Sequence, residues 1–282
     1  MSHSTTTSIE QLIELWLHER SPNTQDGYRR YLKRFLAHVD KPLDEVTLID
    51  FQTWQLTLRS LSPASQRTAI AAIKSLFSFG FELGVLPFNV GKLARTPKVK
   101  DSLAEKILTV EEVQLLFNQE TNLRNRAILR LLYGGGLRVT ELCDLKWRDL
   151  KTRETGGQVT VFGKARKTRV ILLGENVWQE ICQLRGDGGN NDPVFRSRKR
   201  NFDGSYHLTR KQVYRIVKQA GKKAGIEGNV SPHWLRHSHA SHSLDKGAPL
   251  HLVQQTLGHS SIAVTEKYLH AKPTDSSALY LD

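Results

Sequence analysis

Cysteine is scarce: Cys143 and Cys182 are the only two in 282 residues. Two thiols make neither a disulfide framework nor a metal-ligand pattern, which suits a reducing compartment. No apolar run approaches the roughly 20 residues that span a bilayer, so no membrane partner is expected. The opening MSHSTTTSIEQ has neither a charged nor an apolar signal region, and a cytoplasmic protein is expected. Nucleotide-binding fingerprints are missing as well. GDGGNND, at 186–192, lacks both GxGxxG spacing and a following Lys-Ser/Thr, so it reads as a loop. Carboxylates do not cluster, which leaves a two-metal phosphoryl site with little support. Acids are outnumbered: 28 Asp and Glu stand against 41 Lys and Arg, for a net charge of +13 and a pI near 9.8. Such a field draws polyanions, whether DNA, RNA or an anionic membrane. A basic solubility surface or a ribosome-associated protein is the plainer reading; charge alone favours a nucleic-acid partner over it and says nothing of chemistry.

The first hundred residues carry helical periodicity. Ile9, Leu12, Ile13 and Trp16 follow it, then Tyr28, Tyr31, Leu32 and Phe35, then Ile70, Ile73 and Phe77. Ser62-Pro63 supplies an N-cap and a proline at the first helical position. These patterns predict a small helical bundle over 1–95, with roughly the first 8 residues loosely held. The polar, basic GKLARTPKVKDSLAEK, from Gly91 to Lys106, reads as interdomain linker, with the linker proper at 96–106. A second domain, 107–282, opens with Thr109 and Glu112 as a capping box. It is mixed. A helix through Ile128, Leu131 and Leu132 ends in Gly134-Gly135-Gly136. QVTVF and TRVILL are β-branched runs joined by the turn GKARK. Helices follow over Arg210–Ala220, from Ser231-Pro232, and over Leu250–Leu257 with Gly258 closing the last. The expected fold is mainly α with a small β-sheet: a helical N-terminal domain and an α+β second domain.

Several polar positions of the second domain could carry chemistry. Arg138 follows the glycine turn at a helix start, which suits a phosphate, although taken alone it reads first as an ordinary surface arginine. Lys164, Arg166, Lys167 and Arg169 crowd one hairpin, as an anion site or a solvated basic turn would. His233 and Arg236 are three apart, so they share a helix face that could exchange a proton and clamp phosphate oxygens. His233 and His237, four apart, could suggest zinc, but Trp234 stands where HExxH has glutamate, and no metal is expected. LGHSSIAVTEKYLH then places His259 nine residues before Tyr268. Two arginines, a lysine, two histidines and a tyrosine could stabilise a pentavalent phosphodiester transition state, the phenol attacking phosphorus.

In order and spacing these segments resemble the tyrosine recombinase (phage integrase-like) family. GLRVTEL resembles its first arginine box, GKARKTR its β-hairpin lysine, HWLRH its H-x-x-R box, and LGH…Y the box ending in the nucleophile. SPNTQDGYRRYLKRF resembles part of its helical core-binding domain. The layout is similar to the simple Xer-type members, with no additional arm-binding domain ahead of the bundle. Two departures are visible: GGG precedes Leu137 where one glycine is usual, and Ala165 stands where glycine is common.

Carried over by position, the resemblance implies that Tyr268 forms a 3′-phosphotyrosyl link and frees a 5′-hydroxyl. Arg138 and Arg236 would bind the scissile phosphate, Lys164 would protonate the leaving oxygen, His233 would assist proton transfer and His259 would hydrogen-bond the phosphate. Glu141 would support the site. Thr209, Arg210 and Gln212, on a helix resembling the one that enters the major groove, are candidate DNA contacts. Arg67, Lys74, Arg166 and Lys167 are others, most of them toward phosphate. Both halves are basic, with 13 basic to 9 acidic residues in the first hundred positions and 28 to 19 in the rest, as a two-domain clamp on a duplex requires. The implied partners are double-stranded DNA with a specific target site and other recombinase subunits, as a homotetramer or heterotetramer passing through a Holliday junction. The implied enzyme uses no cofactor, is cytoplasmic and is held to the nucleoid through DNA. A type IB topoisomerase and a catalytically inactive DNA-binding relative are the alternatives.

Overall fold

A computed structural model describes residues 8–99, 102–163, 168–201 and 203–269. Lys164, Arg166 and Lys167 lie outside the described residues, as do residues 1–7 and the tail from Ala271. The chain forms two compact units, residues 1–100 and 101–282.

The first unit is helical. Helix α1 (Ile9–His18) starts at a capping box in which Ser8 and Gln11 serve each other's backbone amides. Helix α2 (Pro22–Val39) and helix α4 (Pro63–Glu82) each begin with proline, where a missing N–H costs nothing. Between them lies α3 (Leu48–Thr57), capped by Thr47 and Asp50. The core is aromatic: Phe35 meets Trp54 edge-on at 5.0 Å between centroids, and Phe51 and Phe77 close the cluster. Each such side chain contributes about 1.5–3 kcal/mol by leaving water. The stretch read as linker begins inside this unit, because Val90–Leu93 forms a helical turn, α5, with Val90 and Gly91 buried. Gly91 lies so close to the Lys74 backbone that a Cβ would sit 2.9 Å from its Cα.

The second unit is built around α7 (Leu123–Gly134), whose Ala127, Ile128, Leu129, Leu131 and Leu132 are fully buried. Ahead of it stands α6 (Val110–Gln119), with the Thr109–Glu112 capping box formed in both directions. After it come α8 (Val139–Asp144) and a three-stranded antiparallel sheet of β1 (Leu150–Thr152), β2 (Gly157–Phe162) and β3 (Thr168–Leu173), in that order. Val159 pairs with Ile171, and Val161 with Arg169. Alternation along the strands buries Val159, Val161, Ile171 and Leu173 and leaves Val170 and Leu172 in water. Arg169 therefore shares the inward face of β3. Helices α9 (Glu175–Cys182), α10 (Arg210–Lys223), α11 (Pro232–Asp245), α12 (Leu250–Leu257) and α13 (Ile262–Glu266) complete the unit. The fold is mainly α with a small sheet, as expected. Among the described residues no helix is long and apolar enough to cross a membrane.

Candidate active site

The site is organised by the end of α12. A helix C-terminus leaves carbonyls without partners inside the helix, and two guanidiniums use them here. Arg236, on α11, donates to the carbonyls of Leu257 and Gly136. Arg138, the N-cap of α8, donates to the carbonyl of Gly258 at 2.8 Å. The arginines of two separate sequence boxes are thus anchored on consecutive residues. Glycine is required at both corners. Gly136 has φ +56°, and a Cβ there would meet Leu257 Cδ2 at 2.8 Å. Gly258, with φ +62°, turns the chain out of α12 and lets the Arg169 guanidinium pass where a Cβ would be only 3.1 Å from it.

Glu141 binds the cluster together. Its carboxylate accepts from the Arg138 amide and side chain at 2.8 and 2.9 Å, and from both terminal nitrogens of Arg169 at 2.8 Å. Burial pushes its carboxyl up, but the hydrogen bonds from Arg169 and Arg138 outweigh it and hold the group below the usual range. Arg169 also donates its Nε to the Thr256 carbonyl at 2.7 Å, joining β3 to the same helix end. Sequence reading placed Arg169 among hairpin charges and gave it no role. The signal was its phase: it falls two residues before Ile171 and four before Leu173, on the face that must point inward, where a charge needs a partner.

The remaining groups stand in a row. The rings of His233 and His237 are 6.1 Å apart, those of His237 and Tyr268 5.8 Å, and those of Tyr268 and His259 6.3 Å and nearly parallel. His259 Nδ1 is held by the buried Thr265 hydroxyl at 2.9 Å. Tyr268 Oη lies 2.8 Å from His237 Nδ1. The tyrosine is 5% exposed and packs with Ile107, Ala240, Val253 and Leu257, so it is docked within its own subunit. It does not ride on a helix. Helix α13 ends at Glu266, and Tyr268 follows in a turn closed by its own N–H to the Thr265 carbonyl. A tighter turn, rather than a longer helix, aims the phenol back at α11.

Burial, helped by Arg236 and Arg138, lowers His233 and takes His259 down to about 4, which leaves His259 neutral at pH 7. Burial raises the Tyr268 phenol, against the pull of Arg236. Burial and Arg138 lower Arg236 to about 9, which leaves it charged at neutral pH. The cleft lined by Arg138, Thr168, Arg169, Gln255, Gly258 and His259 encloses about 840 Å³, room for a sugar-phosphate segment. Arg138, Glu141, His233, Arg236, His259 and Tyr268 come together around the end of α12, and of these Arg138 and His259 line the cleft. The other candidates among the described residues stand apart from this set. Thr209 and Gln212 form the capping box of α10, and Gln212 also donates to Ser197. Arg210 opens that helix near Asp144 and Cys143. Arg67 and Lys74 line a groove of the first unit, where Lys74 donates to the Ala94 carbonyl.

A positive cleft with a docked phenol and the neutral imidazole of His259 beside it is equipped for phosphoryl transfer to tyrosine. Comparison with known proteins agrees. The phage integrase family profile matches residues 106–275, and that of the phage integrase N-terminal SAM-like domain matches residues 10–82. The chain is 34% identical over 290 residues to tyrosine recombinase XerD of Staphylococcus haemolyticus, spanning 97% of each protein. It is 37% identical over 257 residues to tyrosine recombinase XerA of Pyrococcus horikoshii, spanning 90% of this chain and 85% of the relative. Its fold is similar to that of the XerH site-specific recombinase bound to difH substrate, with a TM-score of 0.72, 21% identity, and coverage of 97% and 83%. The chain belongs to the phage integrase family, as a tyrosine recombinase of Xer type that breaks and rejoins DNA strands.

Proposed function

We propose that this enzyme performs site-specific recombination on double-stranded DNA with the gathered residues as its machinery. The observation that carries this reading is the fixing of Arg138 and Arg236 on adjacent carbonyls of one helix end, beside His259 and the docked Tyr268. Two guanidiniums held this way face a phosphodiester with little left to reorganise, which is what transition-state stabilisation requires. Tyr268 attacks phosphorus and forms the 3′-phosphotyrosyl bond. Arg138 and Arg236 neutralise the nonbridging oxygens. His259 donates a hydrogen bond to one of them, its tautomer set when Thr265 donates to Nδ1. His233 assists proton transfer, and Lys164 protonates the leaving 5′-oxygen. The phosphotyrosyl link conserves the energy of the broken phosphodiester, so rejoining needs no ATP.

The division of labour follows the sequence: a DNA-binding domain over 1–95, a linker over 96–106 and a catalytic domain over 107–282. Arg67, Lys74, Arg166, Lys167, Thr209, Arg210 and Gln212 serve as DNA contacts, with Thr209 and Gln212 leaving part of their mutual cap when they do. Four subunits, identical or of two kinds, synapse two duplexes and exchange strands through a Holliday junction. The setting is the cytoplasm, at the nucleoid. A nicked suicide substrate tests the reading: it yields a denaturation-resistant protein–DNA adduct, and joined heterologous duplexes follow. Relaxed supercoils without joined duplexes would point to a topoisomerase instead, and no adduct at all would contradict catalysis.

A further inference from the structure

Three imidazoles stand in a row with the nucleophile, and they are not equivalent. His259 lies face to face with the phenol ring, and its Nδ1 is occupied by Thr265. His233 stands one ring further off, beyond His237. His237, one residue past the arginine of the H-x-x-R segment, has its Nδ1 at 2.8 Å from Tyr268 Oη. Among the hydrogen bonds of the described residues it is the side-chain partner of that oxygen. The distance is within the reach required of a general base. The phenol is almost wholly buried, so water does not compete for its proton.

Resting on the strand-cleavage reading above, we propose that His237 is a catalytic residue that orients the Tyr268 hydroxyl and takes its proton as the phenol attacks. In the tautomer protonated at Nε2, the phenol O–H donates to Nδ1. As the Oη–P bond forms, the O–H bond breaks and its proton passes to Nδ1, giving an imidazolium. The P–O5′ bond breaks at the same centre, and the leaving 5′-oxygen takes its proton from a separate donor, Lys164 in that reading. The incoming phosphodiester brings the negative charge that offsets a new cation beside Arg236. In rejoining, the 5′-hydroxyl gives its proton back to that same donor as its oxygen attacks phosphorus, the P–Oη bond breaks, and His237 returns the proton it held to Oη. The pair therefore serves both directions without loss of a proton to solvent. The tyrosine's partner is in the same subunit, half-buried on the face of α11 against which Tyr268 packs.

The test compares His237→Asn, whose amide can still hydrogen-bond at the Nδ1 position but cannot take a proton, with the unmodified protein on a nicked suicide duplex. Duplex binding is measured by gel shift and folding by circular dichroism. The variant folds and binds as the unmodified protein does, and adduct formation slows by about 100-fold or more. Two substitutions of chemistry then separate a base from a structural support. A 5′-bridging phosphorothiolate, which needs no leaving-group acid, restores cleavage to Lys164→Ala and does not restore it to His237→Asn. Placing 2,3,5-trifluorotyrosine at position 268, a phenol acidic enough to ionise near neutral pH, restores most of the rate to His237→Asn. Unchanged or faster cleavage in His237→Asn would overturn the proposal, and faster cleavage would mean that the contact restrains the tyrosine. A slow variant that the acidic phenol fails to rescue would also overturn it. If the unmodified protein forms no adduct on either substrate, the strand-cleavage reading itself is wrong, and the proposal falls with it.

Discussion

The two units stabilise themselves in different ways. The first buries aromatic rings against one another and keeps its charges outside: Arg29 and Glu14 pair at 2.8 Å with both side chains largely in water. The second buries charge. Glu141 is almost fully enclosed between Arg138 and Arg169, and Arg236 is buried against two carbonyls. A buried ion pair is a weak source of net stability, because desolvation cancels much of its attraction. Its presence in one unit and not the other marks where the chain accepts that cost for a charged site. The lesson is that a cluster of buried charges locates the chemistry better than the amount of surface charge, since both units are basic; a single buried charge does not, as Glu120 pairs away from the site with the half-exposed Lys223.

The sharpest way to separate the two kinds of interior is to remove charge from the second. Arg236→Ala should lower the rate of adduct formation by about 100-fold or more, with a much smaller change in duplex affinity, because the guanidinium acts on the transition state. Comparing single-turnover cleavage with gel-shift affinity checks this. Glu141→Ala should cost about 3 kcal/mol in denaturant unfolding, because it strands two arginines that lose a shared partner. The sign with pH follows from its depressed carboxyl. The stabilisation is whole above the unfolded carboxylate value of about 4.3 and is lost as pH falls through the lower folded value. Acid titration of the unmodified protein should therefore show a loss of stability in that window that Glu141→Gln lacks. Gly136→Ala should cost about 1–3 kcal/mol through its left-handed backbone and its contacts with Leu257 and His239, and should slow cleavage by displacing the carbonyl that Arg236 uses. At the other extreme, Glu14→Gln in the first unit should leave the thermal midpoint where it is. A clear drop there would undo the contrast between the units.

Much of this was legible in the sequence, and the omissions have physical causes. Helices with a side-chain cap and an apolar stripe, such as α4 from Ser62-Pro63 and α6 from Thr109, announce their own start. Helix α3 does not: Ile49 and Leu56 are exposed while Phe51 and Trp54 are buried, so apolar residues surround it and no stripe stands out. Helix α9 begins at Gly174 without a side-chain cap. In the site, Arg138, His233, Arg236, His259 and Tyr268 were legible because their residue types fit one reaction in one order. Arg169 and His237 were not, because their importance is relational. Arg169 matters through the inward phase of β3 and the carboxylate it meets there. His237 matters because a turn after α13 brings Tyr268 back to α11, and no spacing along the chain states that.

The most direct test of Tyr268 as the nucleophile is to trap the protein on a nicked duplex, digest the adduct and sequence the peptide that carries DNA. The expected result is a phosphotyrosine link at Tyr268, with Tyr268→Phe binding the duplex and forming none. A link at another residue, Tyr280 being the nearest rival tyrosine in sequence, or an adduct of normal yield from Tyr268→Phe, would contradict it.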